Sequence, residues 1–175
     1  MKILLTGHKG FLGKHLHAEI RKESIHHIIT VDRDDGQDLC NEKFVFDLPE
    51  VDIIFHLAAY NGTKFFYSNP TEVSLNNTLP TINLIKRYSN TKSKFIFAST
   101  CEIFNSSTYT LNYKVPTDEN VPIMFDNILN PRWSYSLPKA LGENLIANSF
   151  KNWLILRYFN IYGPNQKDHF LPEFI

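Results

Sequence analysis

Three glycines spaced three apart, Gly7, Gly10 and Gly13, constrain this chain more than any other feature of it. They lie in Thr6-Gly7-His8-Lys9-Gly10-Phe11-Leu12-Gly13, directly after the apolar run Ile3-Leu4-Leu5 and at the head of a segment in which Leu12, Leu16 and Ile20 recur four apart. Such an order reads as strand, turn and helix. One glycine permits the tight turn, a second lets backbone approach a diphosphate, and a third lets helix pack closely on strand. Amides at the helix start lack partners and favour an anion. Gly7, Lys9, Gly10, Phe11, Leu12 and Gly13 are therefore the candidates for holding a dinucleotide. The spacing G-x-x-G-x-x-G differs from the G-x-G-x-x-G of many dehydrogenases, and an ordinary strand–helix turn is the plain alternative.

Further apolar runs at 27–31, 53–57, 94–98 and 153–158 alternate with helical patterns at 71–89 and 135–150. Nearly continuous apolar character suits parallel strands covered on both sides. The chain is expected to be an α/β protein, a doubly wound, Rossmann-type parallel sheet with helices on both faces. Pro80 is expected to kink the 71–89 helix. Residues 105–130, with Ser106, Ser107, Pro116 and Pro122, read as a long connecting loop. The 175 residues fit one domain. Eighteen basic residues balance eighteen acidic ones, which gives no basic footprint for nucleic acid. No apolar run is long enough to span a membrane. Five residues before the turn are too few for a secretory signal, and two cysteines, Cys40 and Cys101, suit a reducing, cytoplasmic setting.

Two more sets of residues carry chemistry. Val31-Asp32-Arg33 closes the second strand pattern, with Asp32 19 residues after Gly13. A carboxylate there can accept the ribose hydroxyls of NAD and would repel the extra phosphate of NADP, although Arg33 could pair with that phosphate. Tyr135 and Lys139 stand four apart at the start of a helix, hence on one face. An ammonium beside a phenol is expected to lower the phenol's pKa and fit it for proton exchange with a substrate hydroxyl during hydride transfer. Pro138 places the helix start within about two residues of Tyr135, because proline fits the first turn.

Taken together, these residues resemble the extended short-chain dehydrogenase/reductases, the NAD-dependent epimerases and dehydratases of nucleotide sugars. Six matches run in order along the chain. They are the glycine turn, His56-Leu57-Ala58-Ala59, Asn77, the 97–104 segment Phe-Ala-Ser-Thr-Cys-Glu-Ile-Phe, the Tyr135/Lys139 pair, and the 157–164 segment Arg-Tyr-Phe-Asn-Ile-Tyr-Gly-Pro. The resemblance implies that Leu57, Ala58 and Ala59 end the fourth strand beside the cofactor, which Tyr158 and Asn160 also meet. Thr100 would bind the reacting sugar oxygen, with Ser99 beside it. Tyr135 would be the general base, Lys139 would hold the nicotinamide ribose, and Asn77 would support the lysine through water. A glutamate at the place of Glu102 does proton work in the dehydratases and decarboxylases. Cys101 stands where dehydratases carry aspartate, which argues against a complete 4,6-dehydratase. Asp38-Leu39 and Asp47-Leu48 both resemble the adenine-side step. Asp38 is preferred, because residues 40–50 can then form a short helix.

The resemblance further implies a nucleotide-sugar substrate and a homodimer pairing the 71–89 and 135–150 helices, with Leu75, Leu79 and Phe150 as contributors. Epimerase or decarboxylase chemistry is favoured. A 4-keto-sugar epimerase-reductase resembling GDP-fucose synthase, with His169 as acid, and a non-catalytic NAD-binding module are the alternatives. None of the seven histidines has metal-ligand spacing. Family members run to roughly twice this length on the scale of ~100–200 residues per domain. Residues 1–175 are thus expected to be the NAD-binding domain with the catalytic pair. The substrate domain would be absent through fragmentation, completion by another polypeptide, or lost catalysis.

Overall fold

The computed structural model describes residues 1–166 of the chain. Five strands, β1 (Lys2–Thr6), β2 (His27–Val31), β3 (Ile53–His56), β4 (Lys94–Thr100) and β5 (Trp153–Tyr158), form one all-parallel sheet in the order β2-β1-β3-β4-β5. This is a doubly wound order, whose direction reverses between β1 and β3. A crevice opens there at the carboxyl ends of the strands. The expected Rossmann-type fold is the one observed.

Six helices connect the strands: α1 (Phe11–Lys22), α2 (Glu42–Phe46), α3 (Thr63–Ser68), α4 (Pro70–Tyr88), α5 (Asn105–Thr110) and α6 (Trp133–Ser149). The main core fills the space between sheet and helices with Leu4, Val31, Ile54, Leu84, Phe95, Phe97 and Ile146, all essentially inaccessible to water. Burying each such side chain is worth about 1.5–3 kcal/mol. Phe150, a sequence candidate for a dimer face, instead packs on Phe95 at 4.9 Å within this core. Leu75, Leu79 and Leu141 do stay exposed on α4 and α6.

Several expectations are corrected. His56 ends the third strand of the chain and not a fourth, while the short helix expected within 40–50 after Asp38-Leu39 is present as α2. The α4 helix continues past Pro80, which stands inside it and so interrupts neither its start nor its end. Pro138 lies in the second turn of α6, not the first. Its missing amide would free the carbonyl of Ser134, and the Ser74 hydroxyl of α4 donates to that carbonyl at 3.3 Å. Residues 105–130 are not one loop. They contain α5, and Val121 returns to a second small core with Ile103 and Phe104. The apolar anchors are few and far apart: Ile103 and Phe104 precede the segment, and Tyr113 and Val121 lie within it. Among the described residues, no helix is long and apolar enough to cross a membrane.

Candidate active site

The glycine turn sits at the sheet's switch point. Gly7 adopts φ +74°, and a Cβ there would lie 2.7 Å from the Ala58 amide nitrogen. Gly13 is tighter, since a Cβ would fall 2.0 Å from the Gly7 carbonyl oxygen. Both glycines are demanded by the protein's own packing. Gly10 is not: its backbone is extended at φ −68°, and an added Cβ would meet only the Gly7 oxygen, at 3.3 Å. Gly10 lines a groove of about 380 Å³, so the space it leaves is on the ligand side. The same groove is lined by Gly7, Lys9, Asp32, Arg33, Asp38, Leu39 and the Leu57-Ala58-Ala59 segment.

Polar groups fix the groove's far end. The Asp32 carboxylate accepts from the Lys9 amide at 2.8 Å and the Asp34 amide at 3.1 Å, which aims it across the turn. The Lys9 ammonium pairs with Asp35, and that contact raises its pKa. Arg33 donates to the Asn76 side chain and lies 6.0 Å from the Tyr60 ring centroid. Asp38 accepts from the Cys40 amide at 2.9 Å. Phe11, Leu12, Gly13, Tyr158 and Asn160 stand apart from this lining. Tyr158 is half-buried at the end of β5, and Asn160 is exposed. The segment after them turns back to α1, where Gly163 faces the Phe11 ring and the Pro164 carbonyl lies 3.0 Å from His15 Nε2. Leu12 is half-buried in the first turn of α1.

His56 links groove to core. Its Nδ1 lies 2.8 Å from the Thr6 hydroxyl and its Nε2 3.1 Å from the Thr81 hydroxyl. Thr6 Oγ1 also accepts from the Ala58 amide. Burial, with Lys139 nearby, lowers the His56 pKa to about 3. Held neutral by burial, this histidine braces the strand end through Thr6 and Thr81. Asn77 does similar work: its side chain holds both backbone groups of Tyr60, at 3.1 and 2.9 Å, and bonds the Val73 carbonyl. Its direct partners are thus backbone groups of Tyr60, in the groove wall, and of Val73 on α4.

Tyr135 and Lys139 meet on one face of α6. The lysine Nζ lies 5.7 Å from the Tyr135 ring centroid and 4.7 Å from that of Phe97, and it donates to the Ala98 carbonyl at 2.7 Å. Burial lowers its pKa to about 8. The Tyr135 ring stacks on Phe66 at 5.1 Å. Its pKa is not lowered as expected. Burial, with the charges of Glu102 and Cys101, pushes it up to about 12. Thr100 is buried, and its hydroxyl accepts from the Glu102 amide at 3.2 Å. Glu102 is not free. Arg132 Nε and an Nη donate to its two oxygens at 3.0 and 2.8 Å, and Asn105 donates at 3.1 Å. Arg132 was not singled out from sequence, although it stands three residues before Tyr135.

A strand-capping glycine cradle, a carboxylate beyond it, and a Tyr–Lys pair at the next strand end agree with what sequence comparison finds. The family model described as NAD dependent epimerase/dehydratase family matches residues 3–175. The chain belongs to this family. A UDP-N-acetyl-alpha-D-glucosaminuronate decarboxylase of Bacillus cytotoxicus is 31% identical over 99% of this chain and 60% of its own length. A dTDP-D-glucose 4,6-dehydratase of Dictyostelium discoideum is 31% identical over 99% of this chain and 47% of its own length. The solved UDP-glucose 4-epimerase of Thermotoga maritima, with UDP-glucose, superposes with a TM-score of 0.77 at 26% identity, covering 95% of this chain and 58% of that one. The chain thus spans about half to three-fifths of the relatives it matches. His169 lies outside the described residues. Among those described, no three His, Cys, Asp or Glu side chains cluster as metal ligands.

Proposed function

We propose that residues 1–175 are the cofactor-binding and catalytic part of an NAD-dependent enzyme acting on a nucleotide sugar, with net chemistry of the epimerase or decarboxylase type. The observation that carries this reading is the Lys139 ammonium, buried against the Ala98 carbonyl of β4 and 5.7 Å from the Tyr135 ring, in the same sheet whose glycine turn lines an open groove. A binding module has no use for that pair. The groove residues fit a dinucleotide: the turn amides would meet its diphosphate, and Asp32 would accept its adenosine ribose hydroxyls, which favours NAD over NADP. A bound nicotinamide would supply the hydride acceptor.

In this reading Tyr135 takes the proton from a sugar hydroxyl as hydride leaves the same carbon, and returns it when hydride comes back. With a pKa pushed up to about 12 even beside Lys139, the phenol would need a bound cofactor's positive ring to act as a base near neutral pH. Thr100 would donate to the reacting oxygen. Glu102, clamped by Arg132, would act at the neighbouring carbon once the ketone has activated it. The likeness at 31% identity is the same to a decarboxylase and to a 4,6-dehydratase, and Cys101 in place of an aspartate weighs against complete dehydration. A homodimer through the exposed leucines of α4 and α6 is part of the same proposal.

The test offers UDP-, GDP-, CDP- and dTDP-sugars to the NAD-loaded chain while nicotinamide absorbance is followed. At least one sugar is expected to give reduced cofactor in wild type, with the rate cut about 100-fold or more in Tyr135→Phe. Identical traces for both proteins with every sugar would falsify the enzymatic reading.

A further inference from the structure

The face of α6 that carries Tyr135 and Lys139 continues one more step of four residues, to Glu143. Glu143 is 7% exposed and lies in a dense polar network. The Ser99 hydroxyl donates to its Oε1. Arg157 Nε donates to both of its oxygens, at 3.0 and 3.2 Å, and an Arg157 Nη to Oε2 at 2.7 Å. The other Arg157 Nη reaches Glu119 at 2.8 Å. Consecutive residues of β4 thus hold consecutive members of the stripe: the Ala98 carbonyl takes the Lys139 ammonium, and Ser99 takes Glu143. A hydrogen-bonded buried carboxylate one turn from a buried ammonium acts on it through low dielectric.

We propose that Glu143 is a positioning residue for Lys139, a carboxylate fixed by Arg157 and Ser99 that supplies the buried lysine's counter-charge. The other groups around Lys139 do not supply one. His56 on β3 is neutral through burial, Tyr135 on α6 is a neutral phenol, and Arg157 on β5 is itself positive and engaged with Glu143. Burial pulls the Lys139 pKa down, and Glu143 is the group that opposes this. The consequence for catalysis rests on the proposed function, because only an ammonium can stabilise the phenolate. The titration itself does not rest on it.

The experiment labels lysine Cε with carbon-13, assigns Lys139 from the signal lost in Lys139→Arg, and titrates the cofactor-free chain between about pH 6 and about pH 10. Wild type is expected to titrate near pH 8. Glu143→Gln, which keeps the shape, is expected to lower that midpoint by about one pKa unit. A fall in melting temperature with an unmoved midpoint overturns the proposal, since a merely structural residue would give that result. If Glu143→Gln does not fold, the double change Glu143→Gln with Arg157→Gln leaves no unpaired buried charge and carries the test. The midpoint must again fall, by less, and a midpoint unchanged or raised overturns the proposal. Failure of the absorbance test would leave a lowered midpoint standing, so the two claims fail separately.

Discussion

Gly10 and Gly13 look alike in sequence but do different work. Gly13 is required by the fold, because any side chain there collides with the Gly7 backbone. Gly10 is less constrained by the fold: an added Cβ would press only on the Gly7 carbonyl oxygen, at 3.3 Å, and otherwise face the groove. Gly13→Ala is therefore expected to cost about 1–3 kcal/mol or more of stability through overpacking. Gly10→Ala should cost less stability than Gly13→Ala and weaken NAD binding by about tenfold or more, since a methyl group would displace the phosphate from the amides. Denaturant unfolding and calorimetric NAD titration of both variants check this. Equal NAD affinity for Gly10→Ala and wild type would place the diphosphate elsewhere.

Elements differ in how well sequence revealed them. All five strands were visible as apolar runs; in the inner strand β4 that character follows from burial, as in Phe95-Ile96-Phe97, whereas the edge strands β2 and β5 are apolar but only partly covered. The glycine turn, Asp32 and the Tyr135/Lys139 spacing were legible because local geometry dictates them. What stayed hidden depends on contacts distant in sequence. Ser74 rescuing the carbonyl freed by Pro138 joins residues 60 positions apart. Arg132 reaches Glu102 across 30 positions, and Arg157 reaches Glu119 across 38. The raised Tyr135 pKa was missed for the same reason, since spacing shows the lysine but not the burial. At this scale the α4/α6 face makes its own prediction. Leu75→Glu with Leu141→Glu should convert a dimer to a monomer in sedimentation without unfolding it. A wild-type chain that sediments with the mass of one chain would rule out pairing through this face.

The pH dependence of stability belongs to the whole molecule. His56 takes a proton only near pH 3 when folded, against 6.5 as its ordinary value. Between those values the unfolded chain binds a proton that the folded chain refuses. Stability is therefore expected to fall with falling pH by about 1.4 kcal/mol per unit from this residue alone. His56→Gln, compared with wild type by urea unfolding at about pH 6 and about pH 5, should show the shallower decline. Parallel declines would mean that His56 is not held neutral.

The central claim is spatial: a nicotinamide bound through the glycine turn comes within reach of the Tyr135 hydroxyl. Nuclear Overhauser contacts in the NAD-saturated chain test it most directly, with Tyr135 ring signals assigned by their loss in Tyr135→Phe. The account predicts contacts between nicotinamide ring protons and the Tyr135 ring. Saturated binding with nicotinamide contacts to other residues alone, and Tyr135 signals unmoved, would contradict it.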